Sequence, residues 1–240
     1  MRIANQLKER VFCILPDLPG HGANTNLPFE PPLHFDMLNQ DLLSLLDSLA
    51  IRQTHLVGYS MGGRAALYFA VHHPDRVASL ILESASPGLT DPDERRARAG
   101  EDDRRANAIR TEGVEAFVEQ WYDLPLFRSL RALPDVLAQI IAQRKANHPA
   151  WIAKVISDLS PGRQPPVWDQ VPRLDMPVLL VAGSLDKKYV ALGEQIAAHI
   201  PRARLAIVPE AGHTVHLEQP EKFVHLLQNF LSAADTIPNL

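Results

Sequence analysis

The sequence is short of the features that mark several protein classes. Its 240 residues hold a single cysteine, Cys13, so neither an intrachain disulfide nor a thiolate metal site can form. No apolar run approaches the roughly 20 residues needed to span a bilayer. The start, Met1 to Lys8, also lacks the apolar centre of a secretory signal, so the expected location is the cytoplasm, with no membrane insertion. Charge of one sign is scarce too. A formal net charge of -4 gives no support for nucleic-acid binding, and the arginines between Arg95 and Arg110 are interleaved with Asp and Glu, as on a solvated helix face. Internal repeats and low-complexity tracts are absent. What is present, 46% hydrophobic and 22% charged residues, suits a single core with room for an insertion.

Gly58-Tyr59-Ser60-Met61-Gly62 lies between an apolar run, Thr54-His55-Leu56-Val57, and a helix-forming run from Arg64 to Ala70. A strand that reverses into a helix within so few residues holds its serine at strained backbone angles and exposes the hydroxyl. Gly58 and Gly62 are expected to supply the smallness that lets strand and helix pack closely. The backbone N–H of Met61 is the expected oxyanion donor. A serine needs a base and an orienting acid, and both follow in the chain. The apolar run Pro177 to Gly183 reads as a buried parallel strand and ends at Ser184-Leu185-Asp186. A second strand-like run, Ala203 to Pro209, leads into Glu210-Ala211-Gly212-His213. Ser60, Asp186 and His213 are therefore the catalytic candidates. Taken singly, each has an ordinary reading as a cap or a solvated loop residue; the shared order and element ends favour the catalytic one. His216 is expected to pack or hydrogen-bond near the last helix, and Asp17 to fix the loop Pro16 to Gly22. Cys13, in Val11-Phe12-Cys13-Ile14-Leu15, reads as a buried strand residue.

Strand and helix patterns alternate to about Ser84. From Thr90 to about Ser160 the signals are helical only, and Pro161-Gly162-Arg163-Gln164-Pro165-Pro166 reads as a return linker. The expected organisation is an α/β core from residues 1–87 and 161–240 with a helical cap inserted at 88–160. The final helix is expected from Glu221 to about Leu231.

These features resemble the α/β-hydrolase fold, a mostly parallel sheet flanked by helices. Gly58 to Arg64, Glu83-Ser84-Ala85-Ser86-Pro87-Gly88-Leu89, Glu94-Arg95 with Arg98 and Asp102, and Trp121-Tyr122 before Pro125-Leu126-Phe127 narrow the likeness. They are similar to the 2-succinyl-6-hydroxy-2,4-cyclohexadiene-1-carboxylate synthase family of menaquinone and phylloquinone biosynthesis. The resemblance implies a lyase that eliminates pyruvate from a polyanionic carboxylate substrate, without cofactor or metal. It also implies that Arg64, Arg98 and Arg144 hold substrate carboxylates, for which the guanidinium fork is suited, and that Tyr59 and Trp121 line the pocket. Arg64 stands one helical turn after Ser60, and Arg64 and Arg98 are expected to converge above the serine. Oligomeric state is left open between a monomer and a small homo-oligomer.

The chain departs from that pattern at its start. Three strands and a His-Gly loop should precede the strand at Val11-Phe12-Cys13-Ile14-Leu15, and only residues 1–10 do. The N-terminal strands of the fold are thus missing from this sequence, the expected cause being a start assigned too late. The missing third strand would lie between the Val11 and His55 strands and leave both short of a neighbour. Two other readings stay open: a hydrolase of an ester or carbon–carbon bond on the same scaffold, and a truncated, non-catalytic binding protein.

Overall fold

The structure, a computed structural model, describes residues 2–25 and 28–235. The chain separates into two compact units: one from residues 1–14, 42–87 and 167–240, the other from 15–41 and 88–166.

The first unit is built on a four-stranded, wholly parallel sheet in the order β1 (Thr54–Tyr59), β2 (Val77–Glu83), β3 (Val178–Gly183), β4 (Ala203–Val208). The central strands β2 and β3 are apolar almost throughout and buried, as parallel strands covered on both faces must be. Helix α3 (Met61–His72) packs on β1 and β2, and α8 (Lys187–His199) on β3 and β4. Residues Gly63 to Ala70 of α3 are all buried. Elsewhere in this unit Ile81, Leu179, Val181 and Val208 of the sheet join Phe223, Leu227 and Phe230 of the last described helix (Pro220–Asp235) and Leu7 of α1 (Arg2–Leu7) in one core cluster. The register matters most for function. Tyr59 lies opposite Glu83, Glu83 opposite Val181, and Gly183 opposite Val208, so the residues that follow all four strands emerge at one carboxyl edge.

The second unit is helical: α4 (Pro92–Glu112), α5 (Val114–Asp123), α6 (Pro134–Lys145) and α7 (Pro149–Asp158), with α4 lying along α7. Helix α4 starts where Asp91 accepts the N–H groups of Asp93 and Glu94 and Pro92 occupies the first turn. It stops at Gly113, whose φ of 93° few other residues adopt. A further helix, α2 (Phe35–Ser48), runs across the boundary in sequence. No helix among the described residues is long and apolar enough to cross a membrane.

Three expectations are corrected here. Residues 15–41 belong with the helical unit rather than with the sheet. Trp151 Nε1–H donates to the carbonyl of Thr25 (2.9 Å), the Phe29 ring meets Trp151 edge-on, and Asp158 accepts the N–H of Leu33 (2.8 Å). Residues 161–166 join the same unit: Gly162 lies against Arg95 and Ala99, and Arg163 pairs with Asp103. The segment Val11–Leu15 is not a strand. Burial alternates over Val11 to Cys13, with Val11 and Cys13 half-buried against the core and Phe12 88% exposed, then breaks at half-buried Ile14 and exposed Leu15, and among the described residues the segment has no ladder partner. Cys13 is accordingly half-buried rather than enclosed in a sheet. Among the described residues strand β1 pairs only with β2, and Val57 is 49% exposed.

Candidate active site

At the end of β1 the chain turns into α3 through Ser60, whose φ and ψ are 48° and -109°. The close approach that makes this turn possible is at Gly58. A Cβ there would lie 2.5 Å from the carbonyl oxygen of Gly62 and from Cα of Gly63. The expectation for Gly62 needs correction, because a Cβ at Gly62 meets nothing within 4 Å. The second small residue required is Gly63, where it would press on Ala85 at 2.6 Å. Met61 is the first residue of α3, so its N–H is one of the donors a helix start leaves without an intrahelical partner.

Ser60, His213 and Asp186 form one hydrogen-bonded chain. Ser60 Oγ lies 3.2 Å from His213 Nε2, and His213 Nδ1–H donates to Asp186 Oδ2 at 2.7 Å. Imidazole and carboxylate are both buried. With Nδ1–H committed to the carboxylate, Nε2 faces the serine as the acceptor of its proton. Asp186 is also the N-cap of α8, its other oxygen accepting the N–H of Tyr189 (3.3 Å). The bond of a helix cap and the bond to the imidazole are therefore both present at that residue. Its loop meets the histidine loop closely, since Leu185 N–H donates to the carbonyl of Ala211 (2.9 Å) and Gly183 has no room for a Cβ beside the carbonyls of Ala211 and Gly212.

Around this chain stand groups that the sequence did not flag. Glu218 accepts from the N–H of Gly212, the N–H of Thr214 and the Thr214 hydroxyl at 2.7–3.1 Å, tying down the turn that carries His213. Glu83, buried at the end of β2, accepts from both the backbone N–H and the ring Nδ1–H of His216. His216 had been expected to hydrogen-bond, but its acid partner lies 133 residues earlier in the chain. An acid closing a strand that is apolar but for Ser79, Val77 to Glu83, was the available signal.

The remaining candidates sit within their own units as follows. Tyr59 packs on His213 (5.4 Å between ring centres) and His216 (4.8 Å). Arg64 is buried in α3. Arg98 is half-buried, and its Nε–H donates to Asp102 at 2.8 Å. Asp102, almost wholly buried, also accepts from Arg105 (2.7 Å) and from the Ser160 hydroxyl (2.7 Å). Trp121 stacks with Phe117 and Phe127, and the Arg105 guanidinium lies 5.6 Å from its ring. Arg144 is exposed at the end of α6. Its charge reaches His21, whose imidazole is held below its ordinary pKa mainly by burial, against the opposing hydrogen bond from Nδ1 to the carbonyl of Pro19 (3.2 Å). Asp17 fixes its loop as expected, accepting the N–H of Ala23 while its own carbonyl accepts from Asn24 Nδ2.

A parallel sheet whose carboxyl edge carries a serine elbow, an acid after a later strand and a histidine after the last defines a class. The chain belongs to the α/β-hydrolase fold family, whose model matches residues 1–220. A Bacillus subtilis (strain 168) protein, provisionally named a 2-succinyl-6-hydroxy-2,4-cyclohexadiene-1-carboxylate synthase, is 39% identical over 219 residues, 90% of this chain and 80% of that protein. The synthase of that name from Serratia proteamaculans (strain 568) is 35% identical over 217 residues, 90% and 81% of the two chains. The solved structure of MenH from S. aureus superposes with a TM-score of 0.88 at 35% identity, over 92% of this chain and 83% of that one. Within the fold family, the chain belongs to the family of which these relatives are members, that named for 2-succinyl-6-hydroxy-2,4-cyclohexadiene-1-carboxylate synthase.

Proposed function

We propose that this chain eliminates pyruvate from 2-succinyl-5-enolpyruvyl-6-hydroxy-3-cyclohexene-1-carboxylate, giving 2-succinyl-6-hydroxy-2,4-cyclohexadiene-1-carboxylate, with Ser60 as the base. The observation that carries this reading is the Ser60–His213–Asp186 chain of hydrogen bonds, found in a protein whose relatives bear the synthase name. Ser60 Oγ gives its proton to His213 Nε2 and takes a proton from the ring carbon. The C–H electron pair moves into the ring, whose double bond shifts and expels the enolpyruvyl oxygen. That fragment leaves as the enolate of pyruvate and is reprotonated at carbon by the imidazolium, so no water is consumed and no acyl-serine forms. Asp186 keeps the imidazole in the required tautomer and offsets its transient charge. The Met61 N–H is the donor assigned to the developing negative charge. Arg64, Arg98 and Arg144 are the assigned partners of the substrate carboxylates, with Tyr59 and Trp121 lining its path. The assigned compartment is the cytoplasm, where the chain meets its small anionic substrate.

The test is pyruvate release by the purified chain, compared with hydrolysis of a neutral ester of similar size. A charge-assisted contact to a carboxylate contributes about 1.5 to 3 kcal/mol, so Arg64→Ala or Arg98→Ala should lower kcat/KM for the polyanion by roughly ten- to hundredfold, with lysine restoring part of the loss. Faster turnover of the ester by wild type, or a covalent substrate adduct on Ser60 during turnover, would replace this reading with that of a hydrolase.

A further inference from the structure

The nucleophile and the base arrive from segments 153 residues apart, and Oγ and Nε2 must nonetheless meet at 3.2 Å. The dipeptide Glu83-Ser84, at the end of β2 between the two segments, bonds to both. The Glu83 carbonyl accepts the N–H of Ser60 (2.8 Å). The Ser84 hydroxyl donates to the carbonyl of His213 (3.1 Å), while its N–H is fixed on Val181 (3.0 Å). The Glu83 carboxylate, in a residue 1% exposed, grips His216 twice, through the backbone N–H (3.0 Å) and the ring Nδ1–H (2.8 Å to the nearer oxygen). The His216 ring in turn lies against Tyr59, and Tyr59 against His213. A neutral side chain could satisfy one N–H without removing a charge from water, a removal that costs several kcal/mol when it is not repaid in geometry. The carboxyl group adds direction: its two oxygens, both within reach of Nδ1, fix the plane of the His216 ring and with it the face presented to Tyr59.

We propose that Glu83 is a positioning residue for the proton transfer between Ser60 and His213, acting through His216, with Ser84 as its second point of attachment to the histidine loop. The inference rests on the triad reading, and its test is chosen to work whatever the substrate. A fluorophosphonate reacts with an activated serine as the Ser60 Oγ–P bond forms, the P–F bond breaks and the serine proton passes to His213 on its way to solvent with fluoride. The rate constant per folded molecule, with folding checked by circular dichroism and melting, therefore reads the geometry directly. A misplacement near 1 Å costs on the order of a hundredfold, so Glu83→Gln should slow labelling of Ser60 by roughly ten- to hundredfold and lower kcat for pyruvate release in parallel, with KM unchanged. His216→Asn, which keeps a donor where Nδ1 stands but not the ring against Tyr59, should recover only part of the labelling rate lost in His216→Ala. His216→Ala should fall with Glu83→Gln. Wild-type rates in Glu83→Gln, equal rates in His216→Asn and His216→Ala, or a loss confined to KM would each overturn the proposal, and the histidine pair decides it should Glu83→Gln not fold. Wild type labelling no faster than His213→Ala is a different failure: it removes the triad itself.

Discussion

The Ser60 backbone offers a direct measure of what this elbow costs. Its φ of 48° and ψ of -109° fall near the first central position of a type II′ turn, about 60° and -120°, which glycine favours and a Cβ disfavours. Residues held in such regions carry roughly 1–3 kcal/mol of strain. The side chain makes no capping hydrogen bond to α3, so removing it takes no cap away; the loss is the single contact to His213 Nε2, about 1 kcal/mol, and it is common to every replacement. Ser60→Ala keeps the strain, whereas Ser60→Gly relieves it at the expense of roughly 0.5–1 kcal/mol of added freedom in the unfolded chain. The difference centres on about 1 kcal/mol in favour of glycine, and for a chain of this size that is roughly 2–4 °C in Tm. Calorimetry on both variants, each expected to release no pyruvate, isolates the term. Ser60→Gly melting at or below Ser60→Ala would refute the idea that the turn stores strain.

Other consequences are open to measurement. Gly183→Ala places a methyl group against the carbonyls of Ala211 and Gly212, so it should destabilise by roughly 1–3 kcal/mol as an overpacked site does and lower kcat by displacing His213; an unchanged kcat would dissociate the two loops. Asp102→Ala leaves two guanidinium groups, both partly open to water, without their shared acceptor. The expected loss is about 2–3 kcal/mol, below that for a fully buried pair, read by urea denaturation, and an unchanged midpoint would contradict it. His21 has a pKa lowered in the folded state, so the unfolded chain binds more protons there. Its contribution is complete above about pH 6.5 and is lost as pH falls below that value. The urea midpoint of His21→Gln should therefore drop less than that of wild type between pH 7.5 and 5.5, and equal drops would count against the assignment.

What could be read in advance was whatever depends on short stretches of chain. The apolar runs that became β1, β3 and β4 carry their own period, and the elbow is a local event. What escaped depended on partners far along the sequence. Val11 to Leu15 is apolar enough for a strand and alternates in burial as far as Cys13, yet a strand exists only when a neighbour accepts its ladder, and an apolar run does not supply one. Residues 15–41 sort with the helical unit through contacts to Trp151 and Asp158, some 125 positions away. The Glu83–His216 pair is hidden in the same manner. Gly62 and Gly63 illustrate a finer limit: the motif shows that small residues are wanted, and only the crossing of strand and helix decides which of them touches. Asp186 shows the reverse, a single carboxylate that both caps α8 and bonds the His213 imidazole, two placements that sequence reasoning treats as rivals.

The exposed flank of β1 bears on how this chain behaves at concentration. A parallel strand at the end of a sheet, with Val57 half in water and Phe12 almost fully so in the same unit, is an unsaturated template for any extended chain that can donate a matching ladder. Folded proteins usually blunt such margins with lysine, proline or a bulge; Leu56-Val57 carries neither lysine nor proline, and the register irregularity of the β1–β2 pair falls before them, between Thr54 and His55. The elbow strand, which leads into Ser60, is therefore one of the two end strands of the sheet, and a chain that paired there would press directly on the Ser60 turn.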